Sequence, residues 1–143
     1  MSFLLEAGDM AFPLLLESKH FYDTRLRGIM LPVELAYGDR RVLFDAGLDT
    51  GASFCVFERE FGEQLGLSIE AGDLQVFGTA TGTFRAFGHE LTLKVFAHEF
   101  YVRVYFAEHH SFQRNVLGRQ GFLDRVLLGL DDHSGTLYLS RNS

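Results

Sequence analysis

The 143-residue sequence has little cysteine and no long apolar run, and each shortage excludes a class of protein. The single cysteine, Cys55, excludes an intramolecular disulfide framework and a structural zinc site built on several cysteines. No apolar run approaches the ~18 residues of a membrane-spanning helix. Residues 1–20 carry early acidic side chains and lack the basic start of a signal peptide. We therefore expect a cytoplasmic protein without a membrane partner.

Basic residues are also in short supply. The chain has 13 Lys and Arg side chains against 19 Asp and Glu, which gives a formal net charge of −6. A nucleic-acid-binding protein needs a basic face, so we expect no nucleic-acid partner.

Glycine and phenylalanine are plentiful, at 15 residues each, whereas proline occurs only twice. Glycine as turn punctuation, with β-branched and aromatic residues between, predicts many short strands. Residues 90–96 and 100–107 alternate apolar and polar side chains, which is typical of half-buried strands. Further strands are predicted at residues 12–18, 27–37, 41–44, 74–80, 83–87, 126–130 and 136–140. The predicted fold class is all-β, as a compact barrel or sandwich.

Helix signals are few. Phe57, Phe61 and Leu65 follow one another at helical spacing, and Gly66 is the expected stop. Residues 121–125 could form a short helical turn. We therefore expect one or two short helices in a single domain of ordinary length.

The segment that carries chemistry is Asp49-Thr50-Gly51-Ala52, which follows an apolar strand. An acidic residue followed by Thr and Gly suits a carboxylate held at a tight turn. The Thr50 hydroxyl can lock the turn, and Gly51 lets another backbone or a ligand approach closely. Taken alone, the tripeptide also fits an ordinary β-turn in which Asp49 only caps the backbone.

Two later segments accompany this turn. A hairpin at residues 74–87 has a small, flexible tip, formed by Thr79, Ala80, Thr81, Gly82 and Thr83. The run Val116-Leu117-Gly118-Arg119 then precedes a short helical stretch. In this order, over about residues 29–140, the sequence resembles the retropepsin-like aspartic proteases in their bacterial single-domain form.

The resemblance implies a single-lobe acid-protease fold, which is a retropepsin-like closed β-barrel with one or two short helices. It makes Asp49 the catalytic aspartate, with Thr50, Gly51 and Ala52 in the active-site turn. It makes the hairpin tip a substrate-binding flap, and it makes Val116, Leu117, Gly118 and Arg119 a supporting segment. Gly118 would pack against the active-site turn. The protease domain would span residues 29–143.

Residues 1–28 would then form an N-terminal arm. The arm could add a strand to the fold, form a different dimer interface or cover the site. Ser53 departs from the retroviral pattern, since an acidic residue usually stands there and pairs with the arginine at the place of Arg119. Gly47 departs as well, because it stands where a bulky aliphatic residue is usual.

Peptide hydrolysis without a metal or a covalent intermediate needs a base to activate water and an acid to protonate the leaving group. Two carboxylates that share one proton supply both functions. The chain has one Asp-Thr-Gly, so a functional pair requires a homodimer with one Asp49 from each subunit. We expect a homodimeric aspartic endopeptidase that acts on peptides or proteins without a cofactor.

Two other functions stay open. One is a non-catalytic module of the same fold that binds peptides or a partner. The other is a structural domain in which Asp49 does no more than cap a turn.

Rival sites are weaker. His109 and His110 are the best metal candidates, but adjacent residues of an extended chain point to opposite faces, so we expect solvated loop histidines and no metal site. Cys55 follows the turn on an apolar stretch and is interpreted as a buried small hydrophobe. Phe77 and Phe84 are assigned to the core, with apolar substrate subsites as the alternative.

Overall fold

A computed structural model of the protein describes residues 11–142. The described chain contains ten strands and one α-helix, with 3-10 turns at Ile69–Ala71 and Leu123–Arg125. In chain order the elements are β1 (Ser18–Phe21), β2 (Met30–Tyr37), β3 (Arg40–Leu48), β4 (Val56–Phe57), α1 (Arg59–Gln64), β5 (Asp73–Thr79), β6 (Gly82–Val95), β7 (His98–Ala107), β8 (Val116–Leu117), β9 (Val126–Asp131) and β10 (Thr136–Arg141). The predicted all-β class is confirmed.

Six of the strands close into a barrel. They pair in the order β2-β3-β8-β4-β7-β6, and β6 pairs back with β2. The β3–β8 and β4–β7 pairs are parallel, whereas the other pairs around the ring are antiparallel. Strand β5 pairs with β6 outside the ring, as one arm of a hairpin. The predicted closed β-barrel is confirmed.

Alternation of side chains fills the barrel. Leu31, Val33 and Leu35 of β2 are buried, and so are Val102 and Val104 of β7, while the residues between them are exposed or half-buried. Alternate residues of a strand point to opposite faces, so each strand contributes every second side chain to the core. The core therefore lies inside the ring.

Helix α1 is the short helix that the sequence predicts. Phe61 stacks on Phe44 of β3, with ring centroids 4.1 Å apart, and this contact fixes the helix on the barrel. The helix ends before Gly66, whose φ of +81° lies in the left-handed region that glycine adopts easily. No helix of residues 11–142 is long and apolar enough to cross a membrane.

The N-terminal segment adds a strand to a second, three-stranded sheet. Strand β1 pairs with β10, which pairs with β9. The strand predicted at residues 12–18 is wrong, because Phe12, Leu14 and Leu15 are strongly exposed and the strand begins only at Ser18. Residues 1–10 of the expected arm lie outside the described residues.

The long strand β6 replaces two predicted strands. The strands predicted at 83–87 and 90–96 leave residues 88–89 between them, but Gly88 is buried and pairs with both Asp73 and Tyr105. A Cβ at residue 88 would lie 2.9 Å from the Tyr105 ring. The glycine is therefore needed for close packing of this ring and does not mark a turn.

Candidate active site

Asp49 lies immediately after β3, at the start of a tight turn. Its backbone N–H donates to the Leu117 carbonyl at 2.9 Å, and its own carbonyl accepts the Ala52 N–H at 3.2 Å. Its side-chain Oδ1 accepts the Gly51 N–H at 2.9 Å. This bond fixes one carboxyl oxygen and thereby orients the other.

A second chain segment passes directly behind this turn. The N–H groups of Arg119 and Gln120 donate to the carbonyls of Ala52 and Ser53, at 2.8 and 2.9 Å. Gly118 is packed so closely that an added Cβ would lie 2.2 Å from the Phe54 carbonyl oxygen. Residue 118 must therefore be glycine in this structure.

Cys55 supports the same contact from the core. Its thiol is fully buried, and its Sγ accepts the Gly118 N–H at 3.4 Å. Burial raises the pKa of the Cys55 thiol to about 12, because the thiolate would lose its hydration. The thiol stays protonated and unreactive, as predicted for a buried small hydrophobe.

The Asp49 turn borders a cavity of about 430 Å³. The lining comes from the Asp49 turn, from β5 and from neighbouring segments. It consists of Asp49, Gly51, Ala52 and Ser53 of the turn, of Gln75, Val76, Phe77, Gly78 and Thr79 of β5, and of Phe54, Val56, Phe84, Phe112, Arg114 and Val116. The space lies between the turn and the β5–β6 hairpin. Part of its lining is the extended strand β5.

Phenylalanine side chains form the apolar wall of this cavity. The Phe77 and Phe84 rings stack with centroids 4.9 Å apart, and the Phe84 and Phe112 centroids are 4.7 Å apart. All three rings are half-buried and pack on a small cluster apart from the barrel core. Phe77 and Phe84 therefore pack on a small apolar cluster outside the barrel core, and both also line the cavity.

The predicted hairpin tip is fully exposed. Thr79 pairs with Gly82 at the end of the β5–β6 ladder, and its hydroxyl donates to the Gly82 carbonyl at 3.0 Å. Thr79 lines the Asp49 cavity. Thr81 and Thr83 lie along a neighbouring cavity of about 420 Å³, beside the loop that follows β7.

The supporting segment divides into buried and exposed positions. Val116 and Leu117 form β8 and are buried, whereas Arg119 is exposed. Among residues 11–142, no ion pair involves Arg119. Thr50 is exposed on the turn itself.

The loop histidines are solvated, as predicted. The side chains of His109 and His110 are 75% and 64% exposed, and they face Glu108 and Glu63 at 3.2 Å each. Both lie in the loop between β7 and β8.

Sequence reasoning missed two residues of this loop. Asn115 joins the loop to the start of α1, because its Oδ1 accepts the Glu58 N–H at 2.9 Å and its Nδ2 donates to the Glu58 carboxylate. Arg114 lines the Asp49 cavity. The available signal was spacing, since Arg114 stands two residues before Val116 and shares its face of an extended segment.

One comparison with known proteins, that with family models, covers this site. The family model described as aspartyl protease matches residues 32–131, a span that holds the Asp49 turn, the β5–β6 hairpin and Gly118. A similar solved structure is the EIAV protease complexed with the inhibitor HBY-793, at 20% identity and a TM-score of 0.49, covering 63% of this chain and 80% of that chain. Comparison with curated proteins gave no match. Because the family model spans more than half of the sequence, this chain belongs to the aspartyl protease family, as its resemblance to the retropepsin-like enzymes predicts.

Proposed function

We propose that the protein is a homodimeric aspartic endopeptidase, in which two Asp49 carboxyl groups, one from each subunit, activate a water molecule. The observation that carries this proposal is the position of Asp49. Its carboxyl group is oriented by the Gly51 N–H and borders the cavity of about 430 Å³ beneath the β5–β6 hairpin. The family match supports the same chemistry.

Among residues 11–142, Asp45 is the one other carboxyl residue that lines a cavity with Asp49, so the proposal takes the second carboxylate from another subunit. Asp45 borders a cavity next to Asp49, but it stands four residues earlier on the extended strand β3. Four residues of strand span roughly 13 Å, which is too far for two carboxyl groups to share a proton. A twofold axis beside the turn would instead bring two copies of Asp49 together.

The paired carboxyl groups would divide the work of hydrolysis. Two carboxylates in contact share one proton, because their like charges oppose ionisation of both. The ionised Asp49 takes a proton from the water, whose oxygen bonds to the peptide carbonyl carbon. The protonated Asp49 gives its proton to the leaving nitrogen as the C–N bond breaks. One acid and one base are then regenerated.

The hairpin would close over the bound peptide. Residues 79–83 carry small side chains, and Thr79 already lines the cavity, so the tip serves as the flap. An extended peptide would lie between the flap and the Asp49 turn and would hydrogen-bond to strand-like backbone on both sides. Gly118 and its neighbours keep the turn in place behind the cleft.

The test compares wild type with Asp49→Asn and with Asp45→Asn, on a diverse peptide pool from about pH 4 to about pH 7.5, where a carboxylate pair can hold one proton. Products are read by mass spectrometry. The Asp49→Asn amide can still accept the Gly51 N–H, so we expect folding and dimerisation to persist while cleavage is lost. Asp45→Asn should cleave like wild type.

Two results would redirect the proposal. Cleavage that survives in Asp49→Asn would contradict it. No cleavage at any pH, by wild type shown to be dimeric, would favour the non-catalytic binding module instead.

A further inference from the structure

We propose that Arg114 makes the cleft selective for peptides that carry an acidic side chain next to the cleaved bond. The inference rests on the proposed peptide-binding cleft and names the class of substrate that it selects. Arg114 borders the cavity of about 430 Å³ that holds Asp49. It also borders the two neighbouring cavities, beside the hairpin tip and on the other side of the Asp49 turn.

The backbone that carries Arg114 is held firmly in place. The carbonyl of the next residue, Asn115, accepts the Gly47 N–H at 2.9 Å. The Asn115 side chain is hydrogen-bonded to Glu58 at the start of α1. Strand β8 begins at Val116, paired with β3. The chain therefore fixes where the Arg114 side chain starts, while the side chain itself stays exposed.

The charge of Arg114 is not neutralised within the described chain. No carboxylate of residues 11–142 lies within 4.0 Å of its guanidinium, whereas Arg59 contacts both Glu63 and Glu70. A positive group beside a partly enclosed cleft attracts a negative group more strongly than one in open solvent. An arginine in this position favours a carboxylate on the ligand, which its planar guanidinium can bind through two hydrogen bonds.

The rest of the cavity wall adds a second requirement. Phe77, Phe84 and Phe112 form an aromatic surface along the same cavity. Alternate residues of an extended peptide share one face, so the apolar and acidic side chains should stand two positions apart. In a twofold dimer each half of the cleft holds one Arg114, so the preference should occur on both sides of the cleaved bond.

The test uses matched peptides that differ only in Glu, Gln or Lys at the selected position, derived from sequences that the peptide pool identifies as cleaved or bound. Cleavage is measured with the wild-type protein, and binding is measured by fluorescence anisotropy with Asp49→Asn. Each measurement is repeated with Arg114→Gln and Arg114→Glu. Arg41→Gln is the control, because it removes the same charge from an exposed position at the far end of β3.

We expect the Glu peptide to be preferred over the Gln peptide by about threefold to tenfold at low salt. Arg114→Gln should abolish this preference, Arg114→Glu should shift it to the Lys peptide, and Arg41→Gln should leave it unchanged. Added salt should weaken it, since exposed charges are screened within about 10 Å at 0.1 M ionic strength.

The outcomes separate this inference from the proposed protease function. Cleavage of all three peptides at equal rates would overturn the role of Arg114 and leave the protease function intact. Binding that prefers Glu through Arg114, without any cleavage, would support the role of Arg114 and contradict the protease function. A Glu preference that survives in Arg114→Gln, or no binding and no cleavage of any peptide, would overturn the inference.

Discussion

Asp49 depends on a few close backbone contacts for its position. Its backbone N–H donates a hydrogen bond to the Leu117 carbonyl. The residue after Leu117, Gly118, lies against the carbonyls of Ala52 and Phe54. These contacts leave no room for a side chain at residue 118. The orientation of the candidate catalytic group therefore depends on a residue that has no functional group of its own.

Gly118→Ala should unfold or strongly destabilise the protein. The added methyl group would lie 2.2 Å from the Phe54 oxygen, and backbone atoms on both segments would have to move. We expect a loss of about 3 kcal/mol in the free energy of unfolding, measured by urea titration. Gly78→Ala is the matched control, because nothing lies within 4 Å of its added Cβ. Equal stability of the two variants would contradict this packing argument.

The sequence predicts the residues of this turn better than the residues around it. Asp49, Thr50 and Gly51 are neighbours in the chain, so a local pattern is enough to find them. Arg114 is distant in sequence and borders the cavity only because β8 pairs with β3. Its spacing of two residues from Val116 predicts that the two side chains share a face of the chain, but it does not predict which cavity that face borders.

Among the elements, α1 is tied to its surroundings by one arginine. Arg59 donates to Glu63 on the same helix at 3.0 Å, to Glu70 in the following 3-10 turn, and to the Glu108 carbonyl after β7 at 2.8 Å. The hydrogen bonds from Arg59 lower the pKa of the Glu70 carboxyl to about 2. Helix α1, the following 3-10 turn and the segment after β7 therefore share one cation.

Arg59→Gln should flatten the dependence of stability on pH. A carboxyl whose pKa is lowered on folding stabilises the protein above its unfolded value of 4.5, and this stability is lost as pH falls from there towards 2. The variant should thus lose more stability near pH 6 than near pH 3, as read from urea midpoints at both values.

Glu70→Gln serves as the partner control. It should flatten the dependence of stability on pH over the same range. The double variant should lose less free energy of unfolding than the sum of the losses of the two single variants. Strict additivity of the two losses would show that the Arg59–Glu70 contact does not contribute in solution.

Strand prediction succeeded where burial alternates and failed where it does not. In β7 the alternation of apolar and polar residues predicts both that the segment is a strand and which of its side chains are buried. The predicted strands stop short of Gly88, because its close packing against the Tyr105 ring is a tertiary contact that local sequence does not reveal. Residues 12–16 are apolar, but Phe12, Leu14 and Leu15 are strongly exposed, and backbone pairing with β10 begins only at Ser18.

At the scale of the whole molecule, the barrel places the Asp49 turn at the edge of one cleft. The closed ring places β3 and β8 side by side. Asp49 comes directly after the paired residue Leu48, and its N–H donates to the Leu117 carbonyl of β8. Within residues 11–142, the cleft is lined by one carboxyl residue, Asp49, and by one hairpin. The proposed activity requires a second copy to supply the other half.

Subunit mixing tests this central claim most directly. Wild type and Asp49→Asn are co-refolded at varied ratios and constant total concentration, and the cleavage rate of a peptide identified with wild type is measured. If each site needs two Asp49 carboxyl groups, an equal mixture should retain about a quarter of the wild-type rate, because only wild-type dimers are active. A rate of about one half, falling linearly with the fraction of variant, would contradict the account, since each subunit would then be active alone.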